Sequence, residues 1–282
     1  MATPGTTLRH AVLSRRIVYL LLAAAIIVTA LVRIEMKVVP SPLSRQVYDR
    51  IQRLAEESPG APILFSFDYD PSAKEELYPM SQALLRHAFR RNLRPIVMTH
   101  WLNGVGLCKE LLERTAKEAG KEAGRDFVFL AFKPGGSNLL LNMGESLKGA
   151  FDKDFYGKPT EGLPALKGVE SLRDIPVVVG IAAGSTTEMW IAYGRDRFGF
   201  DLGAGCTAVI APDLYPFLQS DQLFGLLGGL RGAADYETLI GTPDSGVAGM
   251  PAQSVAHFLI IGLILVANAH VLVRWLRRRR EG

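Results

Sequence analysis

Cysteine is almost absent from the sequence: only Cys108 and Cys206 occur, and they are far apart in the chain. No CxxC pair and no histidine and cysteine cluster with metal-ligand spacing is present, which argues against a structural zinc site. An oxidising compartment would permit a disulfide, but two separate buried thiols are the simpler interpretation. We therefore predict neither a metal nor a cofactor.

The middle of the chain also lacks an excess of positive charge. The formal net charge is +4, but many arginines concentrate near the two ends, at positions 9, 15, 16, 33, 274 and 277–280. The segment between them carries more acidic than basic residues. A nucleic-acid-binding protein needs a basic face on its folded part, so nucleic acid is not an expected partner.

Two long apolar runs are present, "IVYLLLAAAIIVTALV" and "VAHFLIIGLILVANAHVLV". Their lengths approach the roughly 20 residues that cross the hydrocarbon core of a bilayer. We predict transmembrane helices over residues 17–34 and 253–274, with the lipid bilayer as a partner. The alternative for the first run is a cleaved signal peptide, and the alternative for the second is a buried core helix.

The arginines predict the orientation of these helices. The arginines at positions 9, 15 and 16 and those from 274 to 280 lie on the far side of each run from the middle of the chain, and positive residues next to membrane helices stay in the cytoplasm. The basic tail (1–16) and the Arg-rich tail (275–282) are therefore expected in the cytoplasm. The middle domain would lie outside the cytoplasmic membrane, which in a bacterium means the periplasmic side of the inner membrane.

The middle of the chain alternates apolar strands with helical patterns. A linker and amphipathic helix (35–61) come first, followed by five strand candidates: "PILFSF", "RPIVMT", "DFVFLAF", "IPVVVGIAA" and "TAVIAP". Nearly continuous apolar strands separated by helices are typical of a parallel sheet covered on both faces. We predict a three-layer Rossmann- or flavodoxin-like α/β domain over residues 62–217, with a mainly parallel sheet of about five strands.

Polar residues follow the predicted strands. In an open parallel sheet, ligands bind beyond the carboxyl ends of the strands, where loops and helix N-termini meet. "FKPGGSN" also resembles an anion-cradling loop, although it lacks the spacing of a P-loop. These positions are candidates for binding a small anionic ligand: Asp68, Asp70, His100, Lys133, Gly135, Gly136, Ser185 and Thr186.

The stretch "PILFSFDYDP" and the strand after it resemble haloacid-dehalogenase-type phosphotransferases over residues 62–133. The resemblance implies that Asp68 and Asp70 are nucleophile and acid, that Thr99 binds phosphate and that Lys133 neutralises the phosphoryl group. Two departures stand against it. Pro71 follows the second aspartate directly, and the fourth strand ends in small residues where that family has magnesium-binding acids.

Helix capping explains several of the same residues without any chemistry. Asp70 or Ser72 can cap the helix whose first turn carries Glu75 and Glu76. In "AAGSTTE", the hydroxyl residues before Glu188 have the pattern of a capping box.

The segment 218–252 is interpreted as a glycine-rich juxtamembrane helix and linker. Within it, Gly225, Gly228, Gly229 and Gly232 have small-xxx-small spacing. Glycine costs roughly 1 kcal/mol relative to alanine inside a helix, and close approach of another helix is the usual compensation. This predicts contact with the chain's own domain or, as an oligomer contact, with another subunit.

The favoured function is a non-catalytic structural or assembly subunit of an envelope membrane complex, as a homo-oligomer or with other membrane subunits. The predicted transmembrane helices point to membrane anchoring, and the glycine-rich segment points to contact with other subunits. No complete set of catalytic residues is visible. The alternatives are a module that binds or senses a small anionic ligand, and a degenerate haloacid-dehalogenase-like phosphotransferase.

Overall fold

A computed structural model of the chain describes residues 15–32 and 36–280, with side chains described for residues 16–29, 31–32 and 36–269. The chain divides into two compact units. One is Val38–Val247, and the other combines Met1–Lys37 with Ala248–Gly282. The predicted linker helix and glycine-rich segment therefore belong, up to residue 247, to the same unit as the sheet.

The elements alternate as the sequence predicts. In chain order they are α1 (Arg15–Val32), α2 (Pro42–Glu57), β1 (Pro62–Asp68), α3 (Lys74–Arg90), β2 (Arg94–Thr99), α4 (Val105–Glu118), β3 (Val128–Phe132), α5 (Ser137–Glu145), α6 (Leu147–Ala150), β4 (Val177–Ala182), α7 (Thr186–Trp190), α8 (Asp196–Phe198), β5 (Asp201–Cys206), α9 (Ala211–Gln219), β6 (Leu226–Gly228), α10 (Gly229–Leu239) and α11 (Ser245–Arg280). A π-helical turn, Ile191–Arg195, joins α7 to α8.

The strands form one parallel sheet in the order β3-β2-β1-β4-β5-β6. Helices α2, α3, α4 and α10 pack on one face around Phe65, Phe67 and Val179. The helices from α5 to α9 pack on the other face around Leu64 and Val178. Burial on both faces explains why β1 and β4 are continuously apolar. The predicted three-layer α/β architecture is confirmed, and the strand order is Rossmann-like.

The sheet has six strands among the described residues rather than five, and the predicted fifth strand is misplaced. "TAVIAP" forms a turn and the start of α9, whereas β5 is Asp201–Cys206. The strand signal of β5 is hidden because it contains Gly203 and Gly205. A β-carbon at Gly203 would lie 2.5 Å from Cζ of Phe224, so a distant aromatic ring requires glycine there.

The glycine-rich segment is not one helix, which corrects the sequence prediction. Gly225 precedes β6, Gly228 ends β6, and Gly229 begins α10 with φ +58°. A β-carbon at Gly232 would lie 2.6 Å from the carbonyl carbon of Leu227. These glycines therefore have packing roles inside the domain. Their contact with another subunit stays a prediction.

The long connection 151–174 packs against the edge strand β3. The backbone N–H of Phe155 donates to the carbonyl of Phe129 at 2.7 Å, and the two rings lie 4.9 Å apart. The hydroxyl of Tyr156 donates to Oε1 of Glu113 at 3.0 Å. The connection is thus held to the sheet and to α4.

One helix among the described residues is long and apolar enough to cross a membrane, over Ser245–Ala269 in α11, rather than the two predicted. The apolar part of α1, Arg16–Thr29, falls in the range of 10–17 residues. Most of the predicted basic tail (1–14) and residues 281–282 lie outside the described residues. So do residues 33–35 and the side chains of 270–280, which include the C-terminal arginines.

The contact at Gly225 generates a stability prediction. A β-carbon there would lie 2.8 Å from Cγ2 of Val47 and 2.9 Å from the carbonyl oxygen of Leu43. Gly225→Ala should therefore force α2 away and lower the free energy of unfolding by about 1–3 kcal/mol. Urea unfolding of the full chain in detergent micelles, followed by circular dichroism, measures the change.

Gly106→Ala is the matched control. Gly106 lies in α4, and no atom lies within 4 Å of a β-carbon built there. Alanine is the better helix former, so this variant should be neutral or stabilised by about 0.5 kcal/mol. Equal stability of the two variants would show that α2 does not depend on the close approach at Gly225.

Candidate functional site

The strand order reverses between β1 and β4, and this switch point is where open α/β sheets bind ligands. Asp68 at the end of β1 pairs in register with Ala182 at the end of β4. From there the chain continues into α3 on one face and α7 on the other. The carboxyl ends of these two strands therefore flank the crevice in which a site is expected.

Asp68, the last residue of β1, has no exposed surface. Its Oδ1 accepts a hydrogen bond from the backbone N–H of His100 at 2.6 Å, and its Oδ2 accepts one from the hydroxyl of Ser66 at 2.7 Å. Burial raises the pKa of Asp68 to about 7, although hydrogen bonds from His100, Ser66 and Thr99 oppose the rise. Asp68 is thus a buried carboxyl group whose pKa lies near neutral pH.

His100 follows β2, and its ring packs edge-on against Trp190, with ring centroids 5.9 Å apart. Both ring nitrogens are buried and have no hydrogen-bond partner among the described residues. Burial lowers the pKa of His100 to about 4. The imidazole is therefore uncharged at neutral pH, with one donor and one acceptor left unused.

Helix α7 adds three more buried polar atoms that have no partner in the described part of the chain: Thr187 Oγ1, Glu188 Oε2 and Trp190 Nε1. Trp190 is fully buried, and its ring lies over Gly180 of β4, where a β-carbon would lie 3.9 Å from Cδ1 of the ring. Among the described residues, five of the nine atoms of this kind belong to His100, Thr187, Glu188 and Trp190.

The side chains of the other predicted catalytic residues are bonded to neighbouring groups. Oδ1 of Asp70 accepts bonds from the N–H and the hydroxyl of Ser72, capping a short 3-10 turn as the capping interpretation predicts. These bonds lower the pKa of Asp70. Oγ1 of Thr99 accepts the N–H of Trp101 at 3.0 Å. Lys133 donates to the carbonyl of Ala150.

The glycine loop and the start of α7 lie near each other. Gly135 and Gly136 have φ values of +138° and +50°, and a β-carbon at Gly136 would lie 3.8 Å from Sδ of Met189. Ser185 is exposed and makes no side-chain cap bond, so the capping box predicted there is not formed. Thr186 is buried. Beside the loop lies a hollow of about 350 Å³, lined by Lys133, Asn138 and Asn142 among others.

Three carboxylates act on Cys206, which ends β5. Burial raises the pKa of Cys206, at the end of β5, to about 12, and Glu76, Glu188 and Asp213 add to the rise. Oε2 of Glu76 also accepts the backbone N–H of Ala208 at 2.9 Å. The region around Cys206 therefore carries several carboxylates.

No group of three or more histidine, cysteine or acidic residues in the described part of the chain could hold a metal ion. Cys108 and Cys206 are both buried and free, as the separate-thiol interpretation predicts. Sequence reasoning missed Ser66, Thr187, Glu188 and Trp190 as site residues. The available signal for Ser66 was its period-two spacing from Asp68, which places both on the same face of β1.

A scan against protein-family models, a search of curated proteins and a search of solved structures each find no match to this chain. Its function must therefore be argued from its own residues.

The raised pKa of Asp68 predicts a pH dependence of stability. The pKa is about 7 in the folded chain against an ordinary value of 3.8, so the folded state binds more protons between these values. The contribution is fully present below the lower value and is lost as pH rises through the upper one. Asp68→Asn lacks this titration, so relative to wild type it should gain about 2 kcal/mol in free energy of unfolding between about pH 5 and about pH 8.

Urea unfolding of both proteins at the two pH values measures the difference. The contribution of His87 to stability changes with pH in the opposite direction, because burial lowers its pKa to about 3 from 6.5. That contribution is lost as pH falls from the higher value toward the lower one. Comparing variant with wild type cancels the effect of His87. An identical pH dependence in the two proteins would show that Asp68 is ionised in the fold.

Proposed function

We propose that the chain is a membrane-anchored protein whose α/β domain lies outside the cytoplasm and serves as a non-catalytic subunit of a membrane complex. The observation that carries this proposal is that one helix, α10, binds both points at which the chain enters and leaves the α/β domain. No metal or cofactor is required.

The entering chain is held by Asp235, whose side chain is 1% exposed. Its Oδ2 accepts the backbone N–H of Ser41 at 2.9 Å and the hydroxyl of Ser44 at 3.0 Å. Arg231 donates from Nε to Oδ1 of Asp235 at 2.7 Å and from Nη2 to the carbonyl of Val39 at 2.6 Å. Two side chains of α10 thus fix residues 39–44.

The leaving chain is held by Glu237, two residues further along α10. Its carboxylate accepts the backbone N–H groups of Asp244, Gly246 and Val247 at 2.8–2.9 Å. These are the first, otherwise unpaired N–H groups around the start of α11, so Glu237 caps that helix. Arg86 of α3 adds an ion pair to Asp244 at 2.6 Å.

This arrangement suits a domain held at both ends. The hydrogen bonds to these two buried side chains fix both connections to one rigid element, so a load on either anchor reaches the sheet through α10. An isolated soluble domain would gain little from fixing both of its connections in this way.

Membrane anchoring is supported by the surfaces of the two apolar helices. In α11 the exposed side chains include Phe258, Ile261, Ile264, Leu265 and Val266. In α1 they include Tyr19, Leu20, Ile27 and Leu31. Contiguous exposed apolar surface of this kind fits burial in lipid. We propose that both helices span the inner membrane, with the arginine-rich ends in the cytoplasm.

The contacts of the candidate catalytic residues support a non-catalytic role. Asp68 has no surface for a substrate to reach, Asp70 serves as a cap, and the ammonium group of Lys133 is bonded to a backbone carbonyl. A phosphoryl-transfer mechanism would need these groups directed at one reacting atom.

Cysteine labelling tests the topology. Both native cysteines are buried, whereas Glu161 is exposed in the connection 151–174. A membrane-impermeant maleimide applied to intact cells should therefore label Glu161→Cys, and it should label Glu281→Cys only after permeabilisation. Labelling of Glu281→Cys in intact cells, or protection of Glu161→Cys, would overturn the proposed orientation.

Cross-linking tests the assembly. Membranes treated with an amine-reactive cross-linker should give a species with the mass of at least two chains, and light scattering of the detergent-extracted protein should give a matching mass. A single chain in both measurements would contradict the complex.

A further inference from the structure

We propose that a hollow between α2 and the start of β5 binds a small zwitterion, a molecule with one carboxylate and one ammonium group, such as an amino acid with an apolar side chain. The hollow has a volume of about 360 Å³ and is lined by Arg50, Arg53, Glu57, Asp201 and Phe224. This site goes beyond the proposed anchoring and assembly function.

The walls of this hollow are held by the backbone of the domain. Asp201 is the first residue of β5, and its N–H donates to the carbonyl of Pro176 at 3.0 Å. The N–H of Phe224 donates to the carbonyl of Leu202 at 3.0 Å. The other three lining residues belong to α2, which packs closely against the chain at Gly225. The hollow is therefore preformed, as small-molecule sites usually are.

Arg50 has unused hydrogen-bond donors. Its side chain is 18% exposed, and its Nε donates to Oδ2 of Asp201 at 2.7 Å. Its Nη1 is buried and has no partner among the described residues. A guanidinium group has five N–H donors, and a buried donor without an acceptor is unfavourable. A carboxylate in the hollow would supply acceptors to this group.

Arg53 and Glu57 bring two further charges to the same hollow. They follow Arg50 by three and seven residues, so all three lie on one face of α2. Both side chains are exposed. Neither forms an ion pair or a side-chain hydrogen bond with the other or with another residue in the described part of the chain. The hollow therefore offers unpaired charge of both signs.

A ligand with a single charge would match only half of this set. An anion would face the carboxylates of Glu57 and Asp201, and a cation would face the guanidinium groups of Arg50 and Arg53. A zwitterion matches both halves. Its carboxylate accepts hydrogen bonds from the arginines, and its ammonium group donates to the carboxylates.

Phe224 adds an apolar wall to the charged ones. It is half-buried, and its ring is held close to Gly203, where a β-carbon would lie 2.5 Å from Cζ. An aromatic ring offers a large apolar surface to a ligand side chain, and it also attracts an ammonium group. Charges of both signs beside an aromatic ring therefore favour an amino acid with an apolar side chain.

Isothermal titration calorimetry of the full chain in detergent micelles tests the site. The protein is titrated with L-leucine and with L-phenylalanine over the millimolar range, and we expect saturable binding of at least one. Two analogues of that ligand each lack one charge: the N-acetyl derivative lacks the ammonium group, and the amide lacks the carboxylate. Each analogue should bind roughly three- to tenfold more weakly than the amino acid.

Charge-removing variants assign each half of the ligand to its partner. Arg53→Gln should weaken binding of the amino acid but not of its amide, which has no carboxylate to lose. Glu57→Gln should weaken binding of the amino acid but not of its N-acetyl derivative. Both positions are exposed, so the fold tolerates the changes. Arg45→Gln is the matched control, because Arg45 is exposed on the same helix but does not line the hollow. It should leave the affinity unchanged.

Three outcomes would overturn the proposal. The first is no saturable binding of either amino acid. The second is equal binding of the amino acid and its two analogues, or an equal effect of Arg45→Gln and Arg53→Gln. The third is tighter binding of glycerophosphoethanolamine than of both amino acids, which would assign the hollow to a lipid headgroup. None of these outcomes depends on whether the chain is anchored in a membrane or belongs to a complex.

Discussion

Two carboxylates on α10 fix both ends of the α/β domain, the unit Val38–Val247. Asp235 fixes the chain that enters the domain and Glu237 fixes the chain that leaves it. Both are almost fully buried, and the same helix packs Ala233 and Tyr236 into the core. Because a buried carboxylate without its partners is costly, the two connections and the sheet depend on one another through this helix.

Glycine makes these packed contacts possible. Gly232 lets α10 approach β6, and Gly225 lets α2 approach the chain before β6. These two close approaches bring α10 and α2 against the sheet. The helix that fixes both ends of the domain therefore depends on glycine for its own packing.

The sequence predicts the parts of the fold in which apolar residues mark buried strands. The strands β1 to β4 are continuous runs of branched and aromatic residues, because both faces are covered. In β5 the strand signal fails, since the positions of Gly203 and Gly205 are closely approached by Phe224, Met80 and Ile181, which are distant in sequence. At the site, strand ends predicted Asp68 and His100. Thr187 and Trp190 stand out only because their buried polar atoms have no hydrogen-bond partner among the described residues. That property depends on the three-dimensional surroundings and cannot be read from the sequence.

The way in which the connection 151–174 lies along β3 has a consequence for aggregation. An open edge strand offers free N–H and C=O groups to which a strand from another molecule can pair. At the β3 edge, the N–H of Phe155 donates a hydrogen bond to the carbonyl of Phe129. At the opposite edge, β6 has only three residues and follows a segment packed against α2. Neither edge offers a long free ladder, so crowded copies of the protein have little opportunity to join by extending their sheets.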